Sequence, residues 1–360
     1  MSKKIVLTGG GTAGHVTPNI ALIPKLQEEG YEVSYIGSYE GIEKELIEEV
    51  PGVKYYGISS GKLRRYLSAK NISDAFRVLK GLREAKKLMK KINPDIVFSK
   101  GGFVAVPVVF AGAGRKIPII IHESDMTPGL ANKLSFPKAS KICCNFPETL
   151  NYLPESKAIL TGSPIREELL HGEGHVAKKS LGITSDKPVI LVMGGSLGAV
   201  AVNEAIRRIL PTLLEKYIVI HICGRGKIDD TLYGLSDYIQ LEYVKDELKD
   251  IFALADVMVS RAGANAICEI LALAKPNLLI PLSKAASRGD QILNARSFEK
   301  QGFSEVLEEE DITDELLLEK IENLFANRAS YEALMKTSNQ NDAINKIMGL
   351  IEGLLLKNNP

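Results

Sequence analysis

Three glycine-rich turns, each directly after an apolar run, carry the residues whose types and spacing suit chemistry on a phosphate. They read GGGTAGH from Gly9, GGSLGA from Gly194 and RAGANAICE from Arg261. Glycine lets a ligand approach the backbone, and a helix that starts at the turn offers free N–H groups with about half a positive charge. The turns therefore predict an anionic ligand, such as a diphosphate.

The first turn matches the dinucleotide fingerprint Gly9-x-Gly11-x-x-Gly14, but the remainder of that fingerprint is missing. A nicotinamide dinucleotide site needs an acid at the end of the second strand to hold the ribose. That position reads Ile-Gly-Ser over residues 36–38, and His15 directly follows the third glycine. The turn therefore favours another anionic ligand, and a dehydrogenase stays an alternative that lacks its ribose acid.

Two side chains near the other turns fit a nucleotide. Glu269 lies about two turns into the helix that follows Arg261, where a carboxylate can accept two hydrogen bonds from the vicinal hydroxyls of a ribose. The alternative is a solvent-facing helical glutamate, which the flanking apolar residues Ile267 and Ile270 disfavour. Ser196 could donate its hydroxyl to a phosphate, and the alternative there is a tight strand–helix turn.

The elements that must position these turns are strands alternating with helices. Strands are predicted over residues 4–8, 31–37, 95–99 and 117–121, and the pattern restarts with 187–193, 218–223, 256–260 and 277–282. Such alternation is typical of βαβ units with parallel sheets. The sequence thus predicts an α/β protein of two Rossmann-like, doubly wound domains that face each other across a cleft, with a boundary near residues 160–164.

Composition limits the class of protein. The 360 residues suffice for two domains, and 45% hydrophobic with 25% charged residues is typical of a globular chain. No apolar run reaches the ~20 residues of a membrane span, and the four cysteines have no ligand spacing, which predicts a reducing compartment. The net charge of +1 predicts no general attraction to nucleic acid.

One segment departs from this charge balance. Residues 62–91 contain eleven basic side chains and only two acids, Asp74 and Glu84. The alternatives are solvated helical faces or a surface that rests on anionic lipid, where each nearby Lys or Arg contributes ~1 kcal/mol. The predicted membrane-facing residues are Lys62, Leu63, Arg64, Arg65 and Tyr66.

Seven ordered segments carry a resemblance to a known family. They are GGGTAGHVTPNIAL, SKGGFVAVPV, HESDMTPGLANK, TGSPIREE, VMGGSLGA, SRAGANAICEI and GDQILNA. In order and spacing, and over essentially the whole chain, they resemble the N-acetylglucosaminyltransferases of glycosyltransferase family 28, which make lipid II for bacterial peptidoglycan. The resemblance implies the GT-B fold, with an acceptor domain over 1–161, a donor domain over 162–341, and a last helix over about 342–360 that packs back on the first domain.

The resemblance also implies the reaction. N-acetylglucosamine would move from UDP-GlcNAc, with inversion, to the C4 hydroxyl of the N-acetylmuramyl sugar in undecaprenyl-diphospho-MurNAc-pentapeptide (lipid I). No cofactor or metal is expected to be required, although a divalent cation could stimulate turnover. Expected partners are an anionic membrane surface at the cytoplasmic face of the bacterial membrane and other cell-wall synthesis proteins. The alternatives are a UDP-GlcNAc 2-epimerase, another GT-B enzyme of UDP-sugars, or a non-catalytic sugar-nucleotide sensor.

The family's functional positions carry over onto residues of this sequence. The implied donor-side residues are Thr12, Ala13, Gly14, Asp125, Arg166, Ser196, Val244, Ala264, Asn265, Glu269 and Gln291. The implied acceptor-side residues are Gly102, Phe103, His122 and Glu123. Asp125 departs from the family pattern, because many relatives carry Asn there and a carboxylate beside a diphosphate is less favourable than an amide.

Inversion in one step needs a base for the acceptor hydroxyl and stabilisation of the departing UDP. His15 lies at the start of a helix after the first glycine turn, and its near-neutral pKa suits a base. Contact with a diphosphate is the competing role for His15. His122 is the reserve base, with a hydrogen-bonded core histidine as its alternative. The sequence has no D-x-D motif after a strand, which disfavours the metal-dependent sugar-nucleotide transferase fold.

Overall fold

The computed structural model describes residues 2–61, 70–194, 199–284 and 289–358. The chain divides into two compact units, the first comprising Met1–Arg166 with Asp342–Pro360 and the second Glu167–Asn341. The predicted membrane-facing residues 62–66 and the predicted phosphate ligand Ser196 lie outside the described residues.

The first unit is built around one parallel sheet. Its described strands are β1 Lys4–Thr8, β2 Glu32–Ser38, β3 Lys54–Ile58, β4 Ile96–Ser99, β5 Ile119–Glu123, β6 Lys141–Cys144 and β7 Ala158–Leu160. They lie in the order β3-β2-β1-β4-β5-β6-β7. Both faces of the sheet are covered, since Ile5 and Leu7 join one buried core and Val6 joins the other. This double burial explains the continuous apolar runs of β1 and β5.

Helices cover both faces of that sheet. They are α1 Thr17–Glu28, α2 Ile42–Glu48, α3 Lys70–Ile92, α4 Ala105–Ala113 and α5 Leu130–Ser135. The helix α3 ends as the sequence predicted, because Asn93 takes a φ of +49° and Pro94 follows.

The second unit has its own parallel sheet. Its described strands are β8 Val189–Met193, β9 Ile218–Ile222, β10 Tyr238–Leu241, β11 Val257–Ser260, β12 Asn277–Leu279 and β13 Glu305–Val306, in the order β10-β9-β8-β11-β12-β13. The helices are α6 Gly174–Ser180, α7 Val200–Lys216, α8 Leu248–Leu254, α9 Ala264–Ala272, α10 Asp290–Lys300 and α11 Asp314–Lys336. The α/β class with two parallel-sheet domains is thereby confirmed.

The last helix, α12 (Ala343–Asn358), belongs to the first unit. Its Ile347 and Ile351 are fully buried in the same core as Leu22 and Leu26 of α1. Burial of this apolar face, and not chain order, determines which unit the helix joins.

The first unit also extends to Arg166, beyond the predicted boundary at residue 161. The backbone N–H groups of Thr161 and Gly162 both donate to the carbonyl oxygen of Cys144, at the end of β6. The segment after β7 is therefore held by the first sheet. Arg166, expected in the second domain, lies in the first unit.

Chain order reverses at one place in each sheet. The strand β1 lies between β2 and β4, and β8 lies between β9 and β11. Ligands of open α/β sheets bind beyond the carboxyl ends of the strands at such a reversal. Three of the segments found there, the turn after β1, Lys100 after β4 and Arg261 after β11, are described below.

Candidate active site

The turn after β1 is held by side chains of its own unit. The Tyr35 hydroxyl donates to the Gly9 carbonyl (2.8 Å), the Asn19 amide donates to the His15 carbonyl (3.4 Å), and the Thr17 hydroxyl donates to the Ala13 carbonyl (2.7 Å). These bonds fix the backbone of the turn. At its outer side Thr12 is exposed, and Ala13 and Gly14 are partly exposed, so these three predicted donor-side residues are open to a ligand.

The first glycines of this turn do not all face a ligand. A Cβ at Gly9 would lie 3.1 Å from the Cβ of Lys100, and a Cβ at Gly10 would lie 2.5 Å from the carboxyl carbon of Glu43. Gly11 has a φ of +85° and open space around its missing Cβ. Gly9 therefore makes room for the His15 carbonyl oxygen and the Lys100 side chain, Gly10 makes room for the Glu43 carboxylate, and Gly11 has open space only on the side of its missing Cβ.

Glu43, on α2, is a residue that the sequence interpretation missed. Its carboxylate is buried and accepts hydrogen bonds from the Gly11 N–H (3.2 Å), the Ser38 N–H (3.0 Å) and the Ser38 hydroxyl (2.5 Å). An internal carboxylate thus occupies the Gly11 N–H, which the dinucleotide fingerprint assigns to a phosphate. The signal that the sequence offered for Glu43 was an acidic residue shortly after the second strand, beyond the position at which the ribose acid is missing.

The geometry around His15 fixes its tautomer. Its Nδ1 lies 3.0 Å from the Gly10 carbonyl oxygen and 3.2 Å from the Thr12 hydroxyl. Since a carbonyl oxygen can only accept, Nδ1 carries the proton and Nε2 carries the lone pair.

The surroundings of His15 favour its neutral form. Burial lowers the pKa of His15 most, the charge of Lys100 lowers it further, and the bond to Gly10 and the charge of Glu43 oppose this in part. At neutral pH the imidazole is therefore neutral, with Nε2 able to accept a proton.

The loop after β4 meets the first turn. Gly101 and Gly102 have φ values of +88° and +82°, and a Cβ on Gly102 would overlap the carbonyl oxygen of Gly10. Only glycine allows this approach, which places the partly buried Phe103 next to the contact. The predicted acceptor-side Gly102 and the predicted base turn are thus brought together within the first unit.

Lys100 and His122 form a buried polar group behind this loop. Both side chains are fully buried. The His122 Nε2 lies 2.8 Å from the Gly162 carbonyl oxygen and must donate to it, so Nδ1 accepts from the Lys100 ammonium at 2.7 Å. Lys100 also donates to the Ser124 hydroxyl at 2.7 Å.

This burial changes the expected role of His122. Desolvation, and then the charge of Lys100, hold the pKa of His122 well below its usual range. With no exposed surface, its side chain does not line an acceptor surface, and the core-histidine alternative describes it. Lys100 was missed by the sequence interpretation, although a lysine that ends a buried strand before two glycines was a usable signal.

Glu123 shapes the loop that follows β5. Its carboxylate, 5% exposed, accepts from the N–H groups of Ser124 (2.9 Å), Asp125 (3.2 Å) and Gly129 (3.1 Å), and from the Asn132 amide (2.8 Å). Burial raises the pKa of Glu123 and the charge of Asp125 adds to this, while the hydrogen bonds from Asn132, Asp125 and Gly129 lower it in part. Its carboxylate is buried and bonds to the backbone of this loop, so it supports the predicted acceptor-side residues from the protein interior. Asp125 is partly buried in the loop held in this way.

The predicted nucleotide segment of the second unit starts α9. Gly263 caps this helix with open space around its missing Cβ, Ala264 is 8% exposed, and Asn265 and Glu269 are partly exposed. Behind the turn, the Asn294 amide donates to the Ala262 carbonyl at 3.3 Å. An open helix N-terminus with a carboxylate two turns along suits a nucleoside diphosphate.

Arg261, at the start of that segment, faces the protein interior. Its guanidinium donates to the carbonyl oxygens of Ile280 and Pro281, both at 3.1 Å, and forms an ion pair with Glu309. Arg261 therefore joins β11 to the segment after β12.

The remaining predicted donor residues lie on neighbouring segments. The Gln291 Oε1 accepts from the Leu282 N–H at 3.0 Å, which fixes this side chain at the start of α10. Val244 is partly exposed between β10 and α8. Within the described ranges no cluster of His, Cys, Asp or Glu could hold a metal ion.

Comparison with family models supports the resemblance. The glycosyltransferase family 28 N-terminal domain matches residues 5–144, and the family's C-terminal domain matches residues 189–348.

Comparison with individual proteins gives the same result. A protein of Lachnoclostridium phytofermentans is 64% identical over 355 residues, covering 99% of this chain and 100% of the relative. One of Lachnospira eligens is 65% identical over 350 residues, covering 97% and 99%. Both carry the name UDP-N-acetylglucosamine--N-acetylmuramyl-(pentapeptide) pyrophosphoryl-undecaprenol N-acetylglucosamine transferase. The crystal structure of Acinetobacter baumannii MurG superposes with a TM-score of 0.76 at 26% identity, covering 98% of this chain and 99% of that one.

Proposed function

The chain belongs to glycosyltransferase family 28, and on this premise we propose that it transfers N-acetylglucosamine from UDP-GlcNAc to the C4 hydroxyl of the N-acetylmuramyl sugar of lipid I. The observation that carries the proposal is the His15 imidazole, held neutral with an accepting Nε2 at the switch point of the first unit. The activity named for relatives of about this chain's full length supports the choice of substrates.

In this reaction the C4 oxygen attacks C1 of the donor sugar from the face opposite the diphosphate. The bond between C1 and the diphosphate oxygen breaks, and UDP leaves with the electron pair. The hydroxyl proton passes to Nε2 of His15, while Nδ1–H keeps its bond to the Gly10 carbonyl oxygen. The imidazolium then releases the proton to water, which the neighbouring Lys100 charge favours.

The second unit would bind the nucleotide. Glu269 would accept from the ribose hydroxyls, and backbone N–H groups at the start of α9 would face the diphosphate and stabilise departing UDP. Gln291, fixed by Leu282, would hydrogen-bond the sugar, and the backbone near Val244 would read the uracil. Arg166 and Ser196 would contact the diphosphate, and Thr12, Ala13, Gly14 and Asp125 would approach the donor from the first unit.

We also propose that the first unit docks peripherally on the cytoplasmic leaflet. No helix of the described ranges is long and apolar enough to cross a membrane. The helix α3 nevertheless exposes Phe76 (68%) and Leu79 (54%) among basic side chains such as Arg77 and Lys80. Exposed apolar side chains within a basic helix suit an anionic lipid surface.

Removal of the charges at Lys62, Arg64 and Arg65 should weaken binding to anionic liposomes by on the order of 100-fold, because each contributes ~1 kcal/mol. Turnover of a soluble short-chain acceptor should stay unchanged. The double variant Phe76→Ser, Leu79→Ser should likewise bind anionic liposomes more weakly and keep its turnover of the soluble acceptor. Sedimentation with vesicles of phosphatidylglycerol measures the first effect.

The matched control removes three exposed lysines of the second unit, Lys216, Lys300 and Lys336. It should leave liposome binding within about twofold. If the triple charge variant and the Phe76/Leu79 variant lost liposome binding and turnover of the soluble acceptor equally, the proposal that these residues serve docking and not chemistry would be refuted.

The decisive test of the activity is incubation with UDP-GlcNAc, with and without lipid I. A transferase releases UDP and forms the disaccharide only when lipid I is present. Conversion of UDP-GlcNAc without an acceptor would indicate a 2-epimerase, and binding without turnover would indicate a sensor. Either result would refute the proposal.

A further inference from the structure

Two buried side chains of opposite charge lie on either side of the turn that carries His15. Lys100, from the end of β4, passes Gly9, whose missing Cβ would lie 3.1 Å from the Lys100 Cβ and 2.5 Å from the His15 carbonyl oxygen. Glu43, from α2, passes Gly10, whose missing Cβ would lie 2.5 Å from the Glu43 carboxyl carbon. Lys100 is 0% and Glu43 is 1% exposed.

The Glu43 carboxylate is connected to His15 through Gly11 and Gly10, and Lys100 is connected to the start of the turn through its backbone. The Glu43 carboxylate accepts from the Gly11 N–H, and the adjacent Gly10 carbonyl accepts from His15 Nδ1. The Lys100 backbone N–H donates to the Thr8 carbonyl at 2.9 Å, directly before the turn. Gly9 is thus required by the His15 carbonyl oxygen and by the Lys100 side chain, and Gly10 is required by the Glu43 carboxylate.

We propose that Lys100 and Glu43 are positioning residues for His15, whose buried side chains pass the glycine turn on opposite sides and act on the imidazole with charges of opposite sign. The Lys100 charge disfavours the imidazolium and keeps His15 available as a base. The Glu43 charge limits this effect, so that the neutral imidazole remains basic enough to take a proton from an alcohol. The consequence for turnover rests on the proposed transferase function.

Two further titratable groups near the turn, Tyr35 and His122, are uncharged at neutral pH. Tyr35, from β2, donates to the Gly9 carbonyl, and burial raises its pKa. His122, from β5, has a pKa well below its usual range and accepts from Lys100. Among the groups that influence the pKa of His15, Lys100 lowers it and Glu43 raises it, in agreement with the geometry.

The test is an NMR titration of the His15 imidazole in the free full-length protein, with His15→Gln used to assign its signal. In Lys100→Met the pKa of His15 should rise by about 1, and in Glu43→Gln it should fall by about 1. Glutamine keeps one acceptor oxygen and places an NH2 group where the other oxygen accepts from Gly11 or from Ser38, so this variant removes the charge together with hydrogen bonding at one of these two residues.

The opposite signs of the two expected pKa changes distinguish an electrostatic effect of the charges from a loosening of the turn. A turn that loosens exposes His15 in both variants, and both pKa values then move up toward the ordinary value of about 6.5. A rise in both variants, or no change in Glu43→Gln, would overturn the proposal. If Lys100→Met fails to fold, the fall expected in Glu43→Gln decides alone.

The controls are charge removals on exposed side chains of nearby helices, Glu45→Gln on α2 and Lys90→Met on α3. Both should leave the pKa of His15 unchanged within about 0.2, because exposed charges are screened. The acid limb of kcat/KM should follow the NMR value in every variant. If turnover of lipid I is absent altogether, the proposed function fails, while the titration still decides the role of the two charges.

Discussion

The two units place a buried cation at the same point of their sheets and use it differently. Lys100 follows β4 and Arg261 follows β11, and each of these strands lies beside the first strand of its sheet, opposite the second. Lys100 donates to an imidazole and a hydroxyl, whereas Arg261 donates to two carbonyl oxygens and pairs with the Glu309 carboxylate.

The different partners of Arg261 and Lys100 show two roles of a buried charge, one in the geometry of a sheet edge and one in the electrostatics of neighbouring groups. A guanidinium paired with a carboxylate has much of its field cancelled locally, so it contributes to the geometry of the sheet edge. The Lys100 ammonium acts on two imidazoles, because its charge lowers the pKa of both His15 and His122. The position after the switch-point strand is therefore compatible with a structural or an electrostatic role, and the partners decide between them.

The largest expected effect is on turnover, when His15, whose pKa the Lys100 charge lowers, is replaced. His15→Gln should lower kcat by about 10²–10⁴-fold with little change in donor KM, because it removes the base and not a donor contact. The remaining turnover should lose its acid limb, so that adding Lys100→Met no longer shifts the pH profile. A loss below about tenfold at saturating lipid I would assign His15 to another role.

The comparison itself is tested by removing each cation. Arg261→Met should destabilise the protein by about 3–5 kcal/mol, because it leaves a carboxylate and two carbonyl oxygens without their donor. Lys100→Met should cost only about 1–2 kcal/mol, because its partners His122 and Ser124 are neutral and the desolvated ammonium is removed with it. Urea unfolding at pH 7.5 measures both. The reverse ranking would contradict the structural role of Arg261.

A smaller effect is expected where the second unit meets the nucleotide. Glu269→Ala should raise the donor KM by about 10–100-fold and lower kcat less, because it removes hydrogen bonds to a charged acceptor in the ground state. Lys100→Met should leave the donor KM unchanged, and Glu319→Ala, on an exposed face of α11, serves as the control. An unchanged donor KM in Glu269→Ala would remove this residue from the ribose.

The smallest effect compares the two open glycines. Gly11→Ala should cost about 1 kcal/mol of unfolding free energy, because a residue with a Cβ is strained at a φ of +85°. Gly263 has a φ of −66°, so Gly263→Ala should change stability by less than about 0.5 kcal/mol. The added methyl should nevertheless raise the donor KM. Equal stability losses would contradict the assignment of the cost at Gly11 to its positive φ.

Local signals were sufficient for the elements and for the family. The strand predicted over residues 4–8 has the same bounds in the structure, and the helix predicted to end before Pro94 ends at Ile92. The resemblance to glycosyltransferase family 28 is confirmed by both domain models. Apolar runs, glycine turns and helix-ending residues act over a few positions, so they are legible in the chain itself.

The sequence by itself determined two parallel-sheet domains, a family, and a histidine after a glycine turn. Only the tertiary structure decided that the Glu43 carboxylate accepts from the Gly11 N–H, that the Lys100 side chain passes Gly9, and that His122 is buried. Glu43 lies 32 residues from Gly11 in the chain, and Lys100 lies 22 residues from His122. Because burial and Coulomb interaction depend on distance in space, the fold had to bring them together before their chemistry was defined.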